Sequence, residues 1–330
     1  MRLWILAVVS CIAAGAAATE RLPVVLTDAD NLQDLPFFVA LGAGYFRDEG
    51  FDLSLQVAPT PGEVSTLLHA DSEQVAVLPP PIYLQLIADR FPLRIVANLL
   101  QNDPIDLVVR RSLAEARHWS PTSPLPDRLR ALAGVRIGVA PGPVARLRAL
   151  FRAYGLDADK LLVIVPLMGA EQNDAYAAGR VDALYAHTPF LERALVDQDA
   201  LLYVNQSAGE VPALATRMIH AIVVTARMAR KHPDTVRRIV RAIARAERLI
   251  HDDRSAAAAA VARALPDRPR PLVERLITLY QPAVPPTPVV TVAGLRSALA
   301  LFPASKRAPD LDTVDLSAFV DDRFARAAHR

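Results

Sequence analysis

One stretch of the chain constrains the fold more than any other, because a helix pattern runs directly into a strand pattern. Asp34 is a plausible N-cap, and Pro36 suits the first helical turn, where a backbone N–H group is not needed. One apolar helical face is predicted from four residues: Phe37, Phe38, Leu41 and Tyr45. Gly50 is placed to end the helix, and the alternation over residues 51–57 predicts a half-buried strand. With a strand at 23–27, this makes a β-α-β unit of an α/β fold.

The rest of the chain extends this pattern over two lobes. Its 330 residues are too many for one small core, and 52% hydrophobic with 22% charged residues indicates a globular chain. We expect further strands at these positions: 74–77, 93–99, 105–110, 161–165 and the end of 178–186. A proline-rich linker at 118–127 precedes a second set of β-α units, whose first strand and helix lie within 132–154. A β-rich run at 218–225 is predicted to return the chain to the first lobe.

Two helices are predicted in the C-terminal third of the chain. The first covers 233–251, and its outer face carries arginines that we interpret as solvated: Arg237, Arg238, Arg241, Arg245 and Arg248. The second lies near 316–327. Both would complete the first lobe.

The N-terminal residues predict export. Residues 1–18 combine Arg2, an apolar core and a small-residue cleavage site ending at Ala18, as a signal peptide does. The only cysteine, Cys11, lies within this segment, where it is either a small residue of the signal core or the lipidated residue of a lipobox. The mature chain then has no disulfide and no thiolate metal site, and we expect it in the periplasm, with a lipid anchor on Cys11 as the alternative.

The sequence lacks the motifs of most catalytic and metal sites. No nucleophile elbow, zinc-protease motif or Cys-x-x-Cys pair is present, and the seven histidines are isolated in sequence. The formal net charge is +2 and the arginines are scattered, which argues against nucleic-acid binding. We therefore expect a binding protein without a metal or cofactor rather than an enzyme.

Several stretches resemble one known family. The run from Pro36 to Leu55 resembles the opening helix and strand of the nitrate/sulfonate/taurine and thiamine-precursor class of ABC-transporter substrate-binding proteins. The runs at 93–99, 132–140 and 178–184 resemble further segments of the same class, so the resemblance covers about residues 23–225.

The resemblance implies a two-lobed periplasmic-binding-protein fold of type II, in which two hinge crossovers join the lobes. One lobe would comprise residues 19–106 plus 218–330, and the other residues 107–217. The protein would be a monomer that holds a small-molecule ligand between its lobes and delivers it to the permease and ATPase subunits of an importer. It would contact the membrane only through the permease or through a lipid on Cys11.

The resemblance and the predicted strand ends together indicate the ligand-binding residues. They lie in loops that follow strands, where ligands of α/β proteins bind. The candidates are Asp28, Asp30, Asn31, Asp34, Thr60, Pro79, Pro80, Asn102, Pro141, Gly142, His187 and Thr188. Two alternatives stay open: the acids of the first loop could only cap backbone N–H groups, and Thr188 could only cap the helix that follows.

The residue types in these loops suggest the chemistry of the ligand. Prolines 79, 80 and 81 remove backbone donors, while Asp28, Asp30 and Asp34 bring negative charge. We therefore hypothesise that the ligand is not a simple inorganic anion but carries amine, amidine or heterocyclic N–H groups. Sulfonate-like compounds remain candidate ligands because of the family resemblance. Thiamine-precursor-like compounds also remain candidates, because Asn31 matches half of the thiamine-precursor signature. The alternatives are a sensor or accessory protein without a transporter, and an enzyme of the pyrimidine-synthase or menaquinone type on this fold.

Overall fold

The structure is a computed structural model that describes residues 19–29, 31–71, 73–300 and 311–328. The predicted signal peptide with Cys11 and the candidate residue Asp30 lie outside the described residues. The strands are β1 (Glu20–Leu26), β2 (Phe51–Val57), β3 (Val75–Leu78), β4 (Leu93–Asn98), β5 (Asp106–Arg110), β6 (Arg136–Val139), β7 (Val163–Pro166), β8 (Ala183–Ala186), β9 (Ala200–Val204) and β10 (Ala221–Thr225).

Helices connect and cover these strands. Those before β9 are α1 (Leu35–Gly42), α2 (Tyr45–Asp48), α3 (Pro61–Ala70), α4 (Pro80–Ala88), α5 (Arg111–Ala116), α6 (Leu125–Ala131), α7 (Val144–Arg152), α8 (Ala158–Leu161), α9 (Glu171–Ala177) and α10 (Phe190–Asp197). Those after β10 are α11 (Ala226–Lys231), α12 (Pro233–Asp252), α13 (Arg254–Ala264), α14 (Arg270–Tyr280), α15 (Val292–Leu299) and α16 (Arg323–Ala328). Within the described ranges, no helix is both long and apolar enough to cross a bilayer.

The strands form two five-stranded mixed sheets, as the predicted two-lobed α/β fold requires. The first sheet has the order β2-β1-β3-β10-β4, and the second has the order β7-β6-β8-β5-β9. In the first sheet β10 runs antiparallel to both of its neighbours, and in the second sheet β5 does the same. The chain therefore passes from one sheet to the other twice, between β4 and β5 and again between β9 and β10.

The two connections between the sheets, which we call the crossovers, lie side by side. Residues 99–105 form the first crossover and residues 205–220 form the second. The Leu99 N–H donates to the His220 carbonyl oxygen at 2.7 Å, and the Ile219 N–H donates to the Leu100 carbonyl oxygen at 2.8 Å. The two crossovers thus form one hydrogen-bonded unit between the sheets.

The opening β-α-β unit is present, but its predicted single helix is broken. Helix α1 ends at Gly42 and α2 begins at Tyr45, because Gly44 adopts a left-handed conformation with φ of 78°. Gly42 is required by packing: a Cβ atom there would lie 1.8 Å from the Ala260 carbonyl oxygen of α13. Asp34 does precede α1, but its side chain makes no capping hydrogen bond.

The C-terminal region also differs from the prediction. In place of one helix near 316–327, a short 3-10 helix at Leu316–Phe319 is followed by α16. Between them Val320 forms a β-bridge with Ile95, and the Asp321 N–H donates to the Ile95 carbonyl oxygen at 3.0 Å. This pairing with β4 requires extended backbone and interrupts the helix.

The arginine face of α12 is solvated at Arg237, Arg241 and Arg248, as predicted, whereas Arg238 and Arg245 are half-buried. Arg238, Arg241 and Arg245 form ion pairs with Glu20, Glu49 and Asp48, respectively. Two of them also lie over aromatic rings, Arg238 at 4.2 Å from Phe51 and Arg245 at 4.0 Å from Tyr45. They hold α12 against the opening β-α-β unit.

Candidate ligand-binding cavity

A cavity of about 470 Å³ lies between the two sheets, beside both crossovers. The start of α4 forms one wall, and the start of α7 forms the opposite wall. The crossovers contribute Pro104, Ile105, Ile219 and His220. Its position agrees with the tendency of open α/β sheets to bind ligands near helix N-termini, beyond the strand ends.

The wall formed by α4 is apolar apart from Gln85 and offers no backbone donor at the start of the helix. Pro79, Pro80 and Pro81 line it and have no N–H groups. The next two N–H groups, those of Ile82 and Tyr83, both donate to the Pro79 carbonyl oxygen, at 3.0 and 3.2 Å. This wall therefore contributes shape and apolar surface.

The wall formed by α7 carries a charge. Gly142, Pro143 and Ala145 line the cavity together with Arg146, whose side chain is 25% exposed. The Arg146 guanidinium donates from Nη1 to Oδ1 of Asp103 at 3.3 Å. Among the described residues, Asp103 is the only hydrogen-bond partner of this guanidinium. Its remaining N–H groups are therefore available to a ligand.

Asp103 lies behind Arg146 and is fully buried. Its other oxygen, Oδ2, accepts a hydrogen bond from Nη1 of Arg217 at 3.3 Å. Asp103 belongs to the first crossover and Arg217 to the second, while Arg146 comes from α7. One buried carboxylate thus joins three segments, and the cluster keeps a formal charge of +1.

A second buried acid holds a histidine against the cavity. His220 lines the cavity, and its Nδ1–H donates to Oδ1 of Asp34 at 2.5 Å. Its Nε2 lies 3.1 Å from Oε1 of Gln33, which also lines the cavity. Both ring nitrogens of His220 thus have an oxygen partner, and the ring is held in place from two sides. Asp34 itself is fully buried behind His220.

The loop after β8 brings His187 to the cavity and connects it to α14. Burial and the nearby charge of Arg146 lower the pKa of His187 below its usual value. The next residue, Thr188, donates its N–H to the Tyr280 hydroxyl at 3.1 Å. The same hydroxyl donates to the Pro104 carbonyl oxygen at 2.9 Å. Tyr280 therefore joins the loop after β8 to the first crossover.

Two more carboxyl groups are buried behind the cavity. Asp106 accepts hydrogen bonds from the N–H and the hydroxyl of Ser207, both at 2.8 Å, yet burial raises its pKa to about 7. Glu192 in α10 is fully buried, and burial raises its pKa to about 8. Neither residue lines the cavity. The described residues contain no group of three or more His, Cys, Asp or Glu side chains arranged to hold a metal ion.

The structure places four of the candidate residues on the cavity lining: Pro79, Pro80, Gly142 and His187. Three others have structural contacts elsewhere. Thr60 and Glu63 form a capping box at the start of α3, and Asn31 caps a short 3-10 helix by accepting the Gln33 N–H at 3.1 Å. Asn102 connects the crossovers, since its Nδ2 donates to the Ser207 carbonyl oxygen at 2.9 Å.

The remaining candidates lie near the cavity or outside it. Thr188 is buried beside the lining residue His187, and Pro141 precedes the lining residue Gly142. Asp34 reaches the cavity only through His220. Asp28 is exposed and is not a lining residue. The acids of the first loop, on which the ligand hypothesis rested, therefore do not face the cavity in the described part of the loop.

Four polar lining residues were not anticipated from the sequence: Gln33, Gln85, Arg146 and His220. His220 lies within the predicted return run at 218–225, and its place where the chain returns to the first lobe was the available signal. Arg146 follows the glycine turn of the second lobe, at the start of a predicted helix. None of the described lining residues is an aspartate or a glutamate, and Arg146 is the one among them with a permanent charge.

Solved structures with the same fold share little sequence with this chain. The periplasmic aliphatic sulphonate binding protein SsuA from Escherichia coli matches with a TM-score of 0.64 and 17% identity, covering 92% of each chain. The periplasmic nitrate-binding protein NrtA from Synechocystis matches with a TM-score of 0.56 and 12% identity, covering 94% of this chain and 88% of its own. At these identities the likeness shows the two-lobed fold.

An enzyme also has this fold. The desulfurization enzyme DSZB matches with a TM-score of 0.61 and 17% identity, and the match covers 94% of this chain and 100% of the DSZB chain. A comparison with curated protein sequences gave no significant match. The family model described as NMT1/THI5 like matches residues 31–257. Because this match spans more than half of the chain, the protein belongs to the NMT1/THI5 like family.

Proposed function

We propose that this protein is the extracytoplasmic solute-binding component of an ABC importer and that it traps one small organic molecule between its lobes. The observation that carries this proposal is the cavity of about 470 Å³ between α4 of one sheet and α7 of the other. A ligand that touches both walls binds the closed arrangement better than an open one and shifts the population toward closure. The SsuA and NrtA structures, named for sulfonate and nitrate binding, support this function by their fold.

The lobes of the proposed binding protein would be residues 19–106 plus 218–330 and residues 107–217. It would act as a monomer in the periplasm, after export by residues 1–18, and would deliver its ligand to a permease. The mass of the N-terminal peptide from the periplasmic and membrane fractions tests this localisation. A mature start after Ala18 supports a free protein, an acylated Cys11 supports a lipid anchor, and an intact N-terminus in the cytoplasm contradicts export.

The ligand class is tested by thermal unfolding of the mature protein with a panel of compounds. The panel contains alkanesulfonates, taurine, nitrate, bicarbonate and thiamine precursors. A compound that binds only the folded state stabilises it by about 2.7 kcal/mol at a hundredfold excess over its Kd. We expect a sulfonate-like or heterocyclic organic compound to raise the unfolding temperature.

A substitution that fills the cavity identifies where the compound binds. Ala145 is an exposed lining residue of α7, so Ala145→Trp closes the cavity without disturbing the core. Ala153 is exposed at the end of the same helix and is not a lining residue, so Ala153→Trp is the matched control. Loss of the thermal shift in the first variant alone supports the cavity as the site. Retention of the shift in both variants contradicts it.

Catalysis is the second candidate function, because the DSZB enzyme has this fold. The compound bound in the panel is incubated with the protein and then analysed by mass spectrometry. Recovery of the unchanged compound supports a binding protein, and a new product supports an enzyme. Uptake of the compound by cells with and without the gene separates an importer component from a sensor, since only the importer component changes uptake.

A further inference from the structure

We propose that Asp103 is a positioning residue that fixes the Arg146 guanidinium at the cavity wall, so that the cavity selects a ligand with an anionic end and an apolar body. This inference rests on the proposed function, because it takes the cavity as the ligand site. It names the ligand chemistry that the site would recognise and the residue that sets it.

The first argument is the order of charges behind and at the cavity surface. Two fully buried carboxylates, Asp34 and Asp103, lie behind the surface, and each holds a nitrogen-bearing side chain that lines the cavity. Those side chains are His220 and Arg146, and none of the described residues brings a carboxylate to the cavity lining. The acids therefore face their own partners. Both ring nitrogens of His220 already contact Asp34 and Gln33, so Arg146 is the side chain of the two that has N–H groups left for a ligand.

The second argument is the fixed geometry of Arg146. A free arginine has many rotamers, and holding it in one of them costs conformational entropy. Asp103 reduces this freedom, because it is itself held by Arg217 and lies in a crossover that is hydrogen-bonded to its neighbour. A guanidinium that is positioned before the ligand arrives loses less entropy on binding.

The third argument is the surroundings of the ligand's other end. Opposite Arg146 are Pro79, Pro80 and Pro81, and Ile82, Ile105 and Ile219 complete an apolar surface. The start of α4 has no free backbone donor, so this end of the cavity provides no helix N-terminus for a small anion such as nitrate. A ligand with one charged end and an apolar body fits both sides.

The experiment compares matched probes that differ only in their polar end. Ligand-observed NMR titrations of the mature protein at pH 7 would use 4-methylbenzoate, 4-methylbenzamide and 4-methylbenzylamine, together with the corresponding cyclohexyl set. We expect the carboxylates to bind at least tenfold more tightly than the amides, and the amines to bind most weakly. Equal binding of all three ends, tighter binding of the amines, or no binding by either set overturns the inference. The panel result with Ala145→Trp would still stand, so failure of this inference is distinguishable from failure of the proposed function.

The decisive variant is Asp103→Asn. If Asp103 acted only through its negative charge, its removal would make the cavity more positive and tighten carboxylate binding. If Asp103 positions Arg146, carboxylate binding weakens by roughly tenfold, the scale of a hydrogen bond to a charged group, while amide binding stays unchanged. Asp103→Glu, which keeps the carboxylate, should recover part of the loss. Tighter or unchanged carboxylate binding in Asp103→Asn overturns the positioning role.

Two further variants complete the test. Arg148 in the same helix pairs with the exposed Asp159 at 2.8 Å, so Asp159→Asn removes an arginine partner away from the cavity and should change no affinity. Arg146→Gln should remove the preference for the carboxylate over the amide. If Asp103→Asn does not fold, Arg146→Gln still decides the charge selection, and an unchanged preference in that variant overturns the inference.

Discussion

Helices α4 and α7 both begin at the cavity, yet they bring opposite chemistry to it. Helix α4 begins with prolines, and its first available N–H groups bond to the Pro79 carbonyl oxygen. Helix α7 begins beside Gly142 and presents Arg146. The start of a helix thus contributes shape to the cavity in one lobe and charge in the other.

The residues behind the two helices differ in the same way. Behind α4, the buried hydroxyl of Tyr83 donates to the Met218 carbonyl oxygen at 2.7 Å within an apolar cluster. Beside α7, the buried carboxylate of Asp103 contacts both Arg146 and Arg217. The charged wall therefore depends on a buried acid, and the apolar wall does not. The predictions below test this difference.

The largest effect is expected from removing the acid behind the charged wall. Asp103→Ala leaves Arg217, which is 5% exposed, as a buried charge without its carboxylate partner. Breaking one side of a buried ion pair typically costs about 3–5 kcal/mol. We expect urea unfolding to show a loss of this size in the free energy of unfolding.

The exposed pair of Arg148 and Asp159 provides the comparison. Asp159→Ala should change the free energy of unfolding far less, because exposed ion pairs contribute little. Equal losses in the two variants would show that the buried cluster does not stabilise this wall.

The next effect concerns pH, because buried acids that keep their protons make folding sensitive to it. Glu192 has its pKa raised to about 8 in the folded chain, whereas an unfolded glutamate titrates near pH ~4.3. Between these values the folded chain holds a proton that the unfolded chain releases. Stability is therefore greatest at low pH in this window and falls as the pH rises toward 8, by up to about 1.4 kcal/mol per pH unit.

Asp106, with its pKa raised to about 7, acts in the same direction over a narrower window. Glu192→Gln should flatten the decline in the free energy of unfolding between pH 5 and pH 8, measured by urea titration at each pH. Glu171→Gln, at an exposed position of α9, is the matched control and should keep the full slope. An unchanged slope in Glu192→Gln would mean that this carboxyl is ionised in the folded chain.

The smallest effect is expected at the apolar wall. Pro81 is exposed in the first turn of α4, and Pro81→Ala introduces one backbone N–H at the cavity. The added donor should raise the affinity for 4-methylbenzoate a few-fold, while the lost proline rigidity lowers stability by about 0.4–1 kcal/mol. Isothermal calorimetry and thermal unfolding measure the two changes. Weaker binding of the benzoate would show that the proline ring itself contacts the ligand.

Sequence patterns were sufficient for the fold because they report local periodicity and recognisable runs. The alternation over Phe51–Val57 and the apolar runs of β3 and β4 are strands in the structure. The break at Gly44 was missed because the apolar spacing continues across it. The close contact of Gly42 with Ala260 depends on a helix more than two hundred residues away, which periodicity does not report.

The site was only partly predictable, for a related physical reason. Loops after strands could be located from the sequence, and Pro79, Gly142 and His187 are indeed lining residues. Which way a charge faces depends on its partner in space. The sequence predicts that Asp34 faces the ligand, but in the structure Asp34 contacts His220, which lies 186 positions along the chain.

Because crossover residues also line the cavity, the two features constrain each other during evolution. Pro104, Ile105, Ile219 and His220 connect the two sheets and also form part of the surface that meets a ligand. A substitution here that adapts the cavity to a new compound also changes the segments about which the lobes would move. If the protein binds and releases a ligand as proposed, selection for a different ligand would act at once on the compound accepted and on the speed of its release.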